Sequence, residues 1–295
     1  MAGNRGDSAM GSDRFGEVRI ENVTKTYKKK DSSSTVLQDC TFRIERGRLT
    51  ALMGPSGCGK TVLINLIAGY EIPTTGQIFL NDVPVTKPDP ERLVVFQESA
   101  LFSWMTVYSN VIFGCRVQGM PRKEMKDRAE HILRTVGLYE FRDKYPSQLS
   151  GGMQRRAELA RALINDPKIM ILDEPFRGLD ALTRQLMQEF YVELFEDGGR
   201  TNFFVTHEID EAIFLADRLV IMTFQPGKIK AEIEVDLPRP RKFGMLASHR
   251  FMEIREYAIE LLYEEAAKAF AAGSKSAYDL VGAIVAQKGM SQKCE

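Results

Sequence analysis

No stretch of this 295-residue chain approaches the ~18–20 consecutive apolar residues that span a bilayer as a helix. The longest candidate, residues 213–224, is broken by Asp217 and Arg218. Net charge is also absent: 40 Lys and Arg offset 40 Asp and Glu, so the bulk field draws the chain to neither nucleic acid nor an anionic membrane surface. Cysteine is scarce, and Cys40, Cys58, Cys115 and Cys294 lie too far apart for zinc or CxxC spacing, which reads as reduced, incidental thiols. No internal repeat is present. Residues 1–16, rich in Gly, Ser, Asp and Arg, lack the apolar segment of a signal peptide and are expected to be disordered. If the protein acts at a membrane, something else must hold it there.

What the chain does contain is one concentrated motif, Gly54-Pro55-Ser56-Gly57-Cys58-Gly59-Lys60-Thr61. It fits a glycine, four residues, then Gly-Lys-Ser/Thr, and its surroundings suit it. The short apolar run Arg48-Leu49-Thr50-Ala51-Leu52-Met53 before it reads as a buried strand, and Val62-Leu63-Ile64-Asn65-Leu66-Ile67-Ala68 after it as a helix closed by Gly69. Strand, glycine loop and helix start together make an anion site: amides converge, the helix dipole favours negative charge, and glycine admits close approach. In that geometry Lys60 reaches the β- and γ-phosphates and the Thr61 hydroxyl ligates Mg²⁺.

Residues 17–27 and 36–44 read as strands around a solvated loop at residues 28–34, with further strands near residues 76–80 and 92–96. From about residue 98 the pattern turns helical; Met125, Ala129, Ile132, Leu133 and Val136 form one apolar stripe. Strand–helix alternation then resumes to about residue 235, which predicts a mostly parallel sheet covered by helices. The expected fold is α/β: a P-loop NTPase core with a β-rich N-terminal part, an inserted helical lobe and a C-terminal helical appendage. The expected divisions are residues 1–16, a core at 17–240 with the lobe at about 98–155, and an extension at 241–295. Pro238-Arg239-Pro240-Arg241 reads as a stiff, extended exit from the core.

Two further stretches carry chemistry. Ile169-Met170-Ile171-Leu172-Asp173-Glu174 is an apolar strand ending in two acids: Asp173 stands where a P-loop protein holds its Mg²⁺ shell, and Glu174 is available to accept a proton from water. In Leu149-Ser150-Gly151-Gly152-Met153-Gln154-Arg155-Arg156, Ser150 can cap a helix whose glycines expose the first amides, although Ser-Gly-Gly alone is a common turn.

Together these motifs resemble the ATP-binding subunits of ABC transporters over roughly residues 17–240. The resemblance assigns Tyr27 to adenine stacking, Gln97 to the loop joining lobe and core and to the metal site, and Gly178-Leu179-Asp180 to contact with an opposite subunit. It gives His207 to the γ-phosphate and Glu174 to the general base. It implies ATP and Mg²⁺ as cofactors and a head-to-tail dimer, each ATP held between the glycine loop of one copy and Ser150, Gly151, Gly152 and Gln154 of the other. It also implies membrane permease subunits docking near residues 98–108, where Phe102 and Trp104 lie, and a substrate-binding protein reached through the permease. No nucleic-acid partner is implied. The expected location is the cytoplasmic face of the inner membrane. Residues 208–218 and 237–241 resemble importers of nitrate, sulfonates, taurine or bicarbonate; the alternatives are an exporter or lipid-transport ATPase and, less favoured, a soluble ABC ATPase. Arg177 stands where many relatives carry a small residue, and either pairs across the dimer or faces solvent. Cys58 inside the loop predicts inhibition by alkylation, with ATP protecting.

Overall fold

The computed structural model describes residues 15–29 and 32–272; the tail from residue 273, Cys294 and nearly all of the expected N-terminal disordered segment lie outside these. A long hairpin, β1 (Val18–Lys29) and β2 (Ser32–Ile44), opens the fold. Next come β3 (Leu49–Met53), α1 (Lys60–Ala68), β4 (Thr75–Leu80), β5 (Val83–Pro84) and β6 (Arg92–Val95). The helical lobe contains α2 (Val107–Val111), α3 (Phe113–Val117), α4 (Arg122–Thr135) and α5 (Gly151–Leu163). The core closes with β7 (Ile169–Asp173), α6 (Ala181–Gly198), β8 (Thr201–Val205), α7 (Ile209–Leu215), β9 (Arg218–Met222), β10 (Ile229–Glu234) and α8 (His249–Ala271).

β1, β2, β4 and β5 form an antiparallel sheet. The larger sheet runs β10-β9-β3-β8-β7-β6 and is parallel except at β10. β3 and β8 are buried at every position, as parallel strands covered on both faces must be. The two-residue side-chain period splits β7 between two cores. Ile169 and Ile171 join α1 and the antiparallel sheet, whereas Met170 and Leu172 join α5, α6, α7 and α8.

Residues 28–34 are not an open loop: Lys28 pairs with Ser33 and Lys29 with Ser32, so the hairpin consumes all but its tip. Polar composition suggested solvent, but backbone pairing does not need apolar side chains. Residues 238–241 do not leave the core either. Arg241 is buried and donates to Ile213 O and Ala216 O, while Arg239 donates to Leu215 O, Asp217 Oδ1 and Glu196 Oε1. The guanidinium groups cap the unpaired carbonyls at the end of α7, where positive charge is favoured. Past them α8 buries Phe251, Ile254, Ala258, Leu262 and Ala266 in the same core as the large sheet, so it is part of that core.

Candidate active site

Three loops leave the large sheet from one edge. Leu52 of β3 is level with Val205 of β8, which is level with Asp173 of β7. Ligands of parallel sheets bind outside these carboxyl ends. The glycine loop follows β3, Glu174 follows β7 and His207 follows β8.

Gly57 and Gly59 take φ of 80° and 103°. A Cβ on Gly59 would also lie 2.7 Å from Leu37 Cδ2, so no larger residue fits. Gly59 caps α1 with no side-chain hydrogen bond, which keeps the first-turn amides for an anion. Lys60 Nζ folds across the loop and donates to Gly54 O at 2.8 Å and Pro55 O at 3.1 Å. Pro55 is buried, while Ser56, Gly57 and Thr61 reach the surface. Cys58 is fully buried, and a Cβ on Gly54 would meet its Sγ at 2.8 Å. Burial pushes its thiol pKa up despite Lys60 nearby, so the expected alkylation sensitivity is corrected: the thiol packs beneath the loop.

On the facing side Glu174 is buried and adopts φ 43°, a conformation unusual for a side-chain-bearing residue. Its Oε1 lies 2.7 Å from His207 Nε2 and its Oε2 2.8 Å from Arg177 Nη1. Burial alone would raise the Glu174 pKa, but the contacts from His207 and Arg177 outweigh it and hold it down at about 2. Arg177 faces solvent, its side chain 57% exposed, while its guanidinium also pairs with the acid three residues before it. Asp173 goes the other way, its pKa raised by burial and by Glu174 beside it.

Among the described residues no side chain hydrogen-bonds to Asp173, a partly buried carboxylate that feels the charges of Lys60 and His207. No cluster of three or more His, Cys, Asp or Glu suited to a metal occurs there either. One carboxylate and one hydroxyl fit Mg²⁺, which typically takes few protein ligands and completes its shell with phosphates and water.

Ser150 Oγ accepts from Met153 N at 3.3 Å and caps α5. Gln154 donates to Pro146 O and Leu149 O, holding the turn ahead of the cap. A Cβ on Gly152 would lie 3.0 Å from Thr183 Cγ2, and one on Gly151 3.4 Å from Leu179 Cδ2. The start of α5 thus rests on the segment containing Asp180, which itself caps α6 by accepting from Thr183 N. Tyr27 is partly exposed on β1, and its hydroxyl donates to Glu71 Oε2, which belongs to the segment following α1.

Gln97 is exposed, and its carbonyl accepts from Arg155 Nη2 at 2.6 Å. Arg155 and Glu158, to which the sequence assigned no role, are a buried pair 2.6 Å apart on α5. Arg155 also donates to Phe96 O, and Glu158 accepts from Ala100 N, so the pair ties the Gln97 loop to the helix that begins at Ser150. Two charges three residues apart within the apolar stretch of α5 were the available signal. Beside them lies a groove of about 390 Å³ lined by Phe96, Ala100, Phe102, Phe113 and Arg161. Phe102 packs on Trp104 and Phe113, and Trp104 remains 70% exposed.

Residues 37–177 match the family described as ABC transporter. The chain is 45% identical over 216 residues to the taurine import ATP-binding protein TauB of Roseobacter denitrificans, covering 73% of this chain and 81% of that one. It is 40% identical over 243 residues to the aliphatic sulfonates import ATP-binding protein SsuB of Bacillus cereus, covering 82% and 94%. Among solved structures it is similar to the dimeric, post-hydrolysis ATP-binding cassette MJ0796 bound to ADP and Pi, with a TM-score of 0.64, 29% identity, and 75% and 100% coverage.

Proposed function

This chain belongs to the ATP-binding subunits of ABC transporters, ATPases that couple hydrolysis to transport, and from that premise we propose how its own residues divide the work. Residues 54–61 enclose the phosphates, with Lys60 exchanging its loop carbonyls for the β- and γ-oxygens. Tyr27 carries the adenine. Thr61 and Asp173, with Gln97, would hold Mg²⁺, which would neutralise phosphate charge. Glu174 takes the proton of the attacking water and His207 orients it. The observation that carries this reading is the 2.7 Å contact of His207 with Glu174 at the strand ends that also bear the glycine loop. In the single chain both Glu174 oxygens are engaged, so hydrolysis awaits a rearrangement of the Arg177–Asp180 segment.

Ser150, Gly151, Gly152, Gln154 and Asp180 serve the nucleotide of a second copy, whose corresponding residues complete this one. The dimeric neighbour supports that assembly. The groove beside Phe102 and Trp104 receives a membrane permease, which places the subunit on the inner face of the membrane. No helix among the described residues is long and apolar enough to cross one. The relatives' names support import of a small sulfonate; its delivery by a substrate-binding protein is part of the same proposal. The test is ATP-driven uptake by membrane vesicles carrying this subunit with its co-purified permease. Uptake of taurine or an alkylsulfonate that stops in Glu174→Gln supports the reading; ATP-driven efflux, or no permease in the purified complex, sinks it.

A further inference from the structure

α8 reaches the glycine loop through one turn of chain, residues 223–228, between β9 and β10. On its inner side the turn rests on Glu265 of α8, which is 1% exposed. Glu265 Oε2 accepts from Phe224 N at 2.8 Å, and Oε1 accepts from Lys230 Nζ at 2.9 Å and Lys268 Nζ at 2.7 Å. The turn is stiffened from within, since Thr223 Oγ1 donates to Pro226 O and accepts from Lys228 N. On its outer side it meets the loop. Gln225 Nε2 donates to Gly57 O at 3.1 Å. A Cβ on Gly227 would sit 2.1 Å from Cys58 O, so the two backbones touch. Gly227 is also fixed laterally, donating to Val36 O and accepting from Gln38 N.

A buried carboxylate is costly unless paired, and an apolar residue would fill the volume of Glu265 as well. What the carboxylate adds is direction: it fixes the Phe224 amide within the turn, Lys230 just beyond it and Lys268 on its own helix. We propose that Glu265 and Gln225 are positioning residues of the nucleotide site, and that α8 braces the phosphate loop through residues 223–228. The inference rests on the reading of residues 54–61 as the phosphate loop. It gives the C-terminal helix a part in ATP affinity, since a loop already held in its binding shape loses less freedom on binding.

The test measures ATP affinity and steady-state turnover on the full chain. Gln225 is exposed, so Gln225→Ala should leave the melting temperature unchanged while weakening ATP binding about 3- to 10-fold, the effect of one hydrogen bond. The loss should fall on KM, with kcat within about twofold. Glu265→Gln should do the same and speed amide exchange in residues 54–61. Because both variants cut one line of contacts, the double variant should be no weaker than the worse single. Wild-type affinity in Gln225→Ala, or fully additive losses, would overturn the brace. Should Glu265→Gln fail to fold, Lys230→Met breaks the same contact from the β10 side. Lys60→Ala is the control: if it keeps ATP affinity, the loop reading fails, whatever the brace variants do.

Discussion

The chain presents two glycine-led helix starts, α1 after residues 54–59 and α5 after Ser150, and they are furnished in opposite ways. α1 has no side-chain cap and keeps a lysine folded across the loop onto Gly54 O, so its first-turn amides have no side-chain acceptor and suit an anion. α5 satisfies itself: Ser150 takes the Met153 amide, Gln154 ties the preceding turn, and Gly152 rests on Thr183. On the reading proposed above, the first would be the part of the phosphate site that this chain supplies, and the second a surface offered to the nucleotide of a second copy. Affinity should therefore reside at α1, and the timing of hydrolysis at α5 and the segment it rests on.

The sharpest way to break this comparison is Glu174→Gln. Turnover should fall about 10²–10⁴-fold while ATP binding persists, and the ATP-bound protein should shift to a dimer by light scattering. Near-normal turnover would remove Glu174 from the role. Lys60→Ala should weaken ATP binding about 10- to 100-fold, from the ~1.5–3 kcal/mol of charged hydrogen bonds. Equilibrium titration of the isolated subunit checks it. Ser150→Ala should cost about 1 kcal/mol of stability through the lost cap and lower turnover severalfold. If it instead weakened ATP binding to the isolated subunit as much as Lys60→Ala does, the division between the two starts would collapse. The smallest effect is expected from Arg177→Ala. Its guanidinium is 57% exposed, so solvent screens the pair and turnover should stay within about tenfold. A larger change would make Arg177 part of the dimer's chemistry.

The α1 cradle was legible in sequence because its demands are local. Only glycine tolerates the backbone at residues 57 and 59, and an apolar strand must precede them. Asp173 and Glu174 were legible for the same reason, as acids ending a buried strand. What sequence could not place were groups whose partners are distant in the chain. Arg241 looked like part of a linker until the carbonyls of α7 came within reach. Arg155 and Glu158 belong to no local pattern that marks their role, which comes from the backbone of residues 96–100 closing over them. The polar strand ends at residues 28–34 misled because composition reports solvation, whereas antiparallel pairing is decided by the neighbouring backbone.

One consequence follows from α5 contributing to two cores at once: Leu159 and Leu163 to the sheet core, Ala157 and Ala160 to that of the lobe. Its 13 residues make a rigid arm roughly 20 Å long. If the lobe tilts about the Leu163 end by about 10°, Ser150 at the far end travels about 3 Å, the length of one hydrogen bond. The same swing drags the Gln97 loop through Arg155. A push of that size on the lobe would therefore carry the start of α5 and the Gln97 loop together.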